Sequence, residues 1–150
     1  MVTLLPYSHE MKADVCRFFS SMIPVSGNAF GESVRNSFYD NMARYFDDLW
    51  RLLDNGNVVG VTAMKHLSDE KCELSGLYLS DRYQGKKLGY KMLMSAIDHA
   101  REQKYKKMYL GTTYSSKRAI SLYKRNGFTF TERYCDDLNA NVFMVLDLDT

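Results

Sequence analysis

The sequence predicts an α/β protein built on a single mixed, mostly antiparallel central sheet flanked by helices. Three observations carry this expectation. Asn55-Gly56 separates two β-favouring runs, the pattern of a tight antiparallel hairpin. Between Leu77 and Leu93 the chain passes from alternating apolar positions through a polar, glycine-containing turn to helical spacing. Over the whole chain the periodicities give the order β-α-α-β-β-β-α-β-α-β-β.

Taken in order, Val2, Thr3, Leu4 and Leu5 form a first strand, closed by Pro6, and Ser8 can cap the first helix. Met11, Val15, Phe18, Phe19 and Met22 share one face of that amphipathic helix, which Pro24 stops. After a loop through Ser26, Gly27 and Asn28, the residues Phe30, Val34, Phe38 and Met42 recur every four positions and predict a second helix. These apolar side chains are expected to pack together or to wall an acceptor pocket. Strands over 49–54 and 57–67 flank the hairpin turn, and a third covers 71–79 after the polar turn Ser68-Asp69-Glu70. Gly76 inside that third strand signals a bulge or a close backbone approach. A helix from Leu88 buries Met92, Leu93, Ala96, Ile97 and Ala100, and 107–113 returns as a strand. Ser115 or Ser116 caps a helix through Ala119, Ile120 and Tyr123, which ends at Asn126-Gly127 with Lys124 and Arg125 in its last turn. Strands over 128–134 and 141–148 close the chain, joined by a polar loop through Asp136, Asp137 and Asn139.

Composition narrows the function classes. With 150 residues the chain suits one domain, 1–150, and 45% hydrophobic against 25% charged residues is the balance of a soluble globular protein. A net charge of +2 argues against a nucleic-acid binder, for which only Lys104, Lys106, Lys107, Lys117 and Arg118 come into question. Cys16, Cys72 and Cys135 make no C-x-x-C pairing, which suits a reducing compartment. Neither they nor His9, His66 and His99 have metal-ligand spacing, so no metal is expected. No apolar run reaches membrane-spanning length and no leader pattern is visible. A cytoplasmic protein, monomer or homodimer, with no membrane or nucleic-acid partner, is the expectation.

Chemistry points first to the loop before the 88 helix. The first N–H groups of a helix lack intrahelical partners and carry partial positive charge, which makes them an anion site. Gly85 and Gly89 remove Cβ atoms there, while Arg82, Lys86 and Lys87 add positive charge. Neither G-x-x-x-x-G-K-S/T nor G-x-G-x-x-G with a ribose-binding acid is present, so a generic nucleotide site is not indicated. The run Gln84-Gly85-Lys86-Lys87-Leu88-Gly89 resembles the acyl-CoA-binding motif Q/R-x-x-G-x-G/A of the GNAT N-acetyltransferase superfamily. Lys87 departs from it, standing where the family usually has glycine, and must adopt a backbone conformation that its Cβ tolerates.

A second signature lies about thirty residues on. Ser116, Ala119, Leu122, Tyr123, Gly127 and Phe128 resemble the family pattern N-x-x-A-x-x-L-Y-x-x-x-G-F, with serine in place of a cofactor-contacting asparagine. The resemblance covers essentially the whole chain and implies acetyl transfer from acetyl-CoA, as cosubstrate, to a primary amine on a small molecule or peptide. It implies cofactor contacts from Leu77, Tyr78, Leu79, Gln84, Gly85, Lys86, Lys87, Leu88, Gly89, Tyr90 and Ser116. Tyr123 stands where the family places its general acid, and Glu73 where many members carry the base, with His66 in reserve. For Glu73 a solvated strand-edge glutamate is the other reading, and strand alternation is expected to put Glu73, Ser75, Leu77 and Leu79 on one face. Tyr134 is expected to face the acceptor pocket. Glu32, Asp40, Asp47, Asp48, Asp136 and Asp137 offer acidic walls for a cationic amine, or a solvated acidic surface. Transfer is expected by direct attack in a ternary complex; a module of the same fold that binds acyl-CoA without turning it over is the competing expectation.

Overall fold

The computed structural model describes residues 2–6, 14, 17–18, 47–135 and 140–149. Their strands are β1 (Val2–Pro6), β2 (Asp48–Asp54), β3 (Asn57–His66), β4 (Lys71–Leu79), β5 (Lys107–Thr112), β6 (Thr129–Phe130) and β7 (Val142–Asp147); α1 is Leu88–Glu102 and α2 is Lys117–Arg125. They form one seven-stranded sheet in the order β1-β2-β3-β4-β5-β7-β6. Its neighbouring strands are antiparallel except β4 and β5, which run parallel. The helix expected over 11–22 is represented by Asp14, Arg17 and Phe18, all helical; the rest of it and the helix expected over 30–42 lie outside the described residues. Among the described residues no helix is long and apolar enough to cross a membrane.

The hairpin forms as its dipeptide dictates. Asn55 and Gly56 take φ of 52° and 84°, the left-handed pair that a two-residue turn between twisted strands requires. α1 lays its apolar stripe, Met92, Leu93, Ala96, Ile97 and Ala100, on the sheet, and all five side chains are buried. Leu93, Ala96, Ile97 and Ala100 join one core with Leu74, Met108, Leu110 and Met144. α2 ends where Gly127 takes a φ of 98°, with its N–H on the Lys124 carbonyl and that of Phe128 on the Tyr123 carbonyl.

Three local expectations are corrected. Ser116 occupies the N-cap position of α2 but makes no side-chain cap bond; its hydroxyl lies 3.2 Å from that of Thr113. The strand expected over 128–134 pairs only at Thr129–Phe130. Thr131 still donates to the Phe143 carbonyl, but Arg133 then turns to the Ala140 carbonyl and Tyr134 packs its ring on Tyr109 and Phe143. Side-chain packing thus ends the ladder early.

The third correction concerns β4. Ala63 pairs with Gly76 and Met64 with Leu74, so Ser75 is an extra residue, the bulge that Gly76 signalled. A bulge reverses the alternation of side chains. Cys72 and Leu74 join the core under α1 before it, and Leu77 and Leu79 pack toward α1 after it. Glu73 therefore does not share a face with Leu77 and Leu79. Thr62, fully buried, donates its hydroxyl to the Gly76 carbonyl at 3.1 Å. A Cβ on Gly76 would come within 2.9 Å of the Tyr78 ring, which explains the glycine beside the bulge.

Candidate active site

The site begins where the parallel strands part. β4 and β5 pair only over Lys71, Cys72 and Glu73, opposite Lys107, Met108 and Tyr109. Beyond Glu73, β4 runs on to Leu79 without a β5 partner, while β5 stays with β7 up to Thr112. Past Glu73, β4 thus continues for roughly 20 Å as extended main chain that is not paired with β5. Leu77 and Leu79 turn their side chains into the core, so what they present to the opening is backbone.

The open stretch leads into the start of α1. A 3₁₀ turn, Asp81–Tyr83, follows β4, and Lys87 is the N-cap of α1. No side chain caps this helix and its first turn contains no acid, so its first amides face outward with their partial charge uncompensated. Two ties hold the loop in place. Gln84 donates its amide to the Leu79 carbonyl at 3.1 Å, and Tyr83 donates its hydroxyl to Asp54 at the hairpin. That bond holds the Asp54 carboxyl below its ordinary value and pushes the Tyr83 phenol up. Lys86 lies over the Tyr83 ring, 5.5 Å from its centroid.

Gly85 takes a φ of 78° with nothing within 4 Å of where a Cβ would stand, and a Cβ on Gly89 would rest 3.5 Å from Leu122 of α2. Leu88 is half-buried against the core, and Tyr90 is exposed on the first turn. Lys87 has φ 63°, ψ 15°, the left-handed conformation. A side chain in that region costs roughly 1–2 kcal/mol, against a glycine entropy penalty of about 0.5–1 kcal/mol. Lys87→Gly is therefore expected to stabilise the fold by up to about 1 kcal/mol, read as a higher midpoint in urea unfolding; a lower midpoint would mean that the Lys87 side chain makes a contribution larger than its strain.

Glu73 stands at the fork itself. Its backbone is fixed on both sides, paired with Lys65 on β3 and Tyr109 on β5. Its carboxylate accepts from the Ser75 hydroxyl at 2.8 Å and from the Tyr134 hydroxyl at 2.6 Å. The Tyr134 ring lies 5.0 Å from Tyr109 and 5.5 Å, edge-on, from Phe143. Tyr123, on α2, is 6% exposed and belongs to the main core. Its hydroxyl makes no hydrogen bond to a described residue, and burial, helped by the nearby Tyr78 phenol, pushes its pKa well above the ordinary value of 10.0.

A family model described as "Acetyltransferase (GNAT) family" matches residues 14–128. The chain belongs to this family. The GNAT chain is 41% identical over 76 residues to the spermine/spermidine N(1)-acetyltransferase of Bacillus subtilis, an alignment covering 50% of this chain and 49% of that protein. It spans about half the length of the curated relatives it matches first, 49% in each case. Among solved structures, a GNAT acetyltransferase from Staphylococcus aureus Mu50 superposes with a TM-score of 0.87 at 21% identity, over 99% of both chains. The yncA protein of Salmonella typhimurium, solved with acetyl-CoA, superposes with a TM-score of 0.77 at 20% identity, over 100% of this chain and 95% of that one. At these identities the likeness is one of fold.

Other candidates of this GNAT chain fall elsewhere. His66 is exposed at the end of β3, its ring 2.7 Å from the Tyr105 hydroxyl. Asp47 binds the His66 amide and Asp48 the His99 ring, so both are engaged in the scaffold. Glu32, Asp40, Asp136 and Asp137 lie outside the described residues. Burial pushes the Cys72 thiol up to about 12, leaving it protonated and inert as a nucleophile near neutral pH. Among the described residues no His, Cys, Asp or Glu side chains cluster as a metal site. Sequence reasoning missed Ser75 as a partner of Glu73. Its only local signal was a hydroxyl two residues along a strand.

Proposed function

We propose that the protein transfers the acetyl group of acetyl-CoA to a primary amine by direct attack within a ternary complex. The observation that carries this reading is the forked sheet, whose open main chain runs from Glu73 to the uncapped start of α1. The main chain of β4 beyond its pairing with β5 suits the amide-bearing arm of the cosubstrate, and the α1 amides with Arg82, Lys86 and Lys87 suit its phosphates. The arm thus lies along β4 with its thioester toward Glu73.

An incoming amine is protonated at neutral pH and must lose a proton before it attacks. Glu73 takes that proton, being the carboxylate held at the fork. Backbone N–H groups of β4 beyond the bulge supply donors for the oxygen that gains charge as the amine adds. Tyr123 gives its phenolic proton to the departing sulfur, for which burial keeps the phenol neutral. Ser116, its hydroxyl already beside Thr113, contributes less to the arm than an asparagine would. The polyamine acetyltransferase among the relatives makes spermidine a sensible first acceptor, beside a peptide with a free N-terminus.

Calorimetric titration with acetyl-CoA and with CoA tests the cradle. Micromolar binding is expected, weakened at least tenfold by Gly85→Glu, which sets a carboxylate beside the phosphates on a backbone with φ of 78°. A folded protein that binds neither compound would sink the reading; binding licenses a screen of amines by thiol release.

A further inference from the structure

The geometry points to Tyr134 as a positioning residue for the reaction, which with Ser75 clamps the Glu73 carboxylate at the fork so that it meets the acceptor amine in one orientation. This rests on the acetyl-transfer reading above. A glutamate has three side-chain torsions, and a carboxylate free to turn spends little time aimed at any one point. Here each oxygen is held by a different hydroxyl. Ser75 bonds Oε1 from the same strand, and Tyr134 bonds Oε2 from 61 residues away, across β5 and β7. Ser75, the bulge residue, lies two positions beyond Glu73 on the same strand.

The tyrosine is itself fixed. Its ring is packed against both Tyr109, which pairs with Glu73 across the fork, and Phe143, which pairs with Gly111 on β5. Arg133, its neighbour, ties the same segment down by donating to the Ala140 carbonyl at 3.0 Å and laying its guanidinium over the Phe143 ring. The early end of β6 thus has a consequence. Residues that leave the ladder deliver a phenol to the carboxylate on the one pair of strands that is about to separate. Each oxygen keeps a lone pair beyond its hydroxyl bond, so the clamp orients the base and still leaves it able to accept a proton from the ammonium.

Tyr134→Phe keeps the ring and removes only the hydroxyl. With spermidine and an N-terminal alanine peptide as acceptors, it is expected to lower kcat about tenfold or more. KM for acetyl-CoA and its calorimetric Kd should stay within twofold of wild type. A role confined to packing would leave kcat unchanged. The deciding measurement is a double-mutant cycle with Glu73→Gln: once the carboxylate is gone, Tyr134→Phe should cost less than a further twofold. Wild-type kcat in Tyr134→Phe, or losses that multiply in the double variant, overturns the clamp and leaves acetyl transfer standing. Tight acetyl-CoA binding with no turnover of either amine by the wild-type protein overturns both.

Discussion

Glu73→Gln is expected to lower kcat/KM for an amine acceptor by about 10²–10⁴, the usual worth of a positioned general base, while acetyl-CoA affinity stays within twofold. The expectation comes from where the backbone holds this residue. Glu73 is the last residue of β4 with ladder partners on both sides, Lys65 and Tyr109, so its Cα is as fixed as the centre of the sheet. One residue further, the β5 side is open. Glutamine fills the same volume, and its amide oxygen can accept from one of the Ser75 and Tyr134 hydroxyls while its NH2 donates to the other. The variant should fold with a thermal midpoint within a few degrees of wild type. Steady-state thiol release at saturating acetyl-CoA is the check. A kcat/KM within threefold of wild type would mean that the carboxylate only braces Tyr134 and that the base lies elsewhere.

What the sequence made legible were the features whose cause is local. Asn55-Gly56 fixed its own turn, and the five apolar positions of α1 are all buried. Gly127 ended α2 at the predicted residue because only a left-handed conformation reaches the two carbonyl bonds there. Lys87 shows the limit of local reading. Its departure from the family motif is visible in the chain, but that it takes a left-handed conformation, which favours glycine, is settled only by the fold. The bulge was signalled by Gly76, yet its consequence was not, because a one-residue insertion reverses every side chain beyond it. Glu73 thereby parted from Leu77 and Leu79. The partnership of Glu73 with Tyr134 was beyond any periodicity argument. It joins β4 to a segment past β6 through a strand ladder that stops at Phe130, four residues short of its expected end, for reasons of side-chain packing.

Tyr123→Phe is expected to move activity and stability in opposite directions. Phenylalanine removes the proton proposed for the departing thiolate, and kcat should fall by about 10²-fold. Packing against Phe128, whose ring centroid lies 5.6 Å away, is retained. The hydroxyl itself is buried without a hydrogen-bond partner among the described residues, a situation that costs about 1–3 kcal/mol. Its removal should therefore raise the unfolding free energy by about 1 kcal/mol in the absence of cosubstrate. The pH dependence carries a sign as well. Burial raises the folded-state pKa above the ordinary 10.0, so the phenol stays protonated in the native protein while the unfolded chain begins to ionise near that value. The raised pKa does not alter stability below pH 10; above it the wild-type protein loses stability as pH rises, and Tyr123→Phe loses less. Urea midpoints at pH 8 and pH 10.5 for both proteins, set beside kcat at pH 8, give the comparison. A variant that keeps wild-type kcat removes Tyr123 from the chemistry. One that loses both activity and stability marks the hydroxyl as part of the core's own bonding, with no proton left for the leaving group.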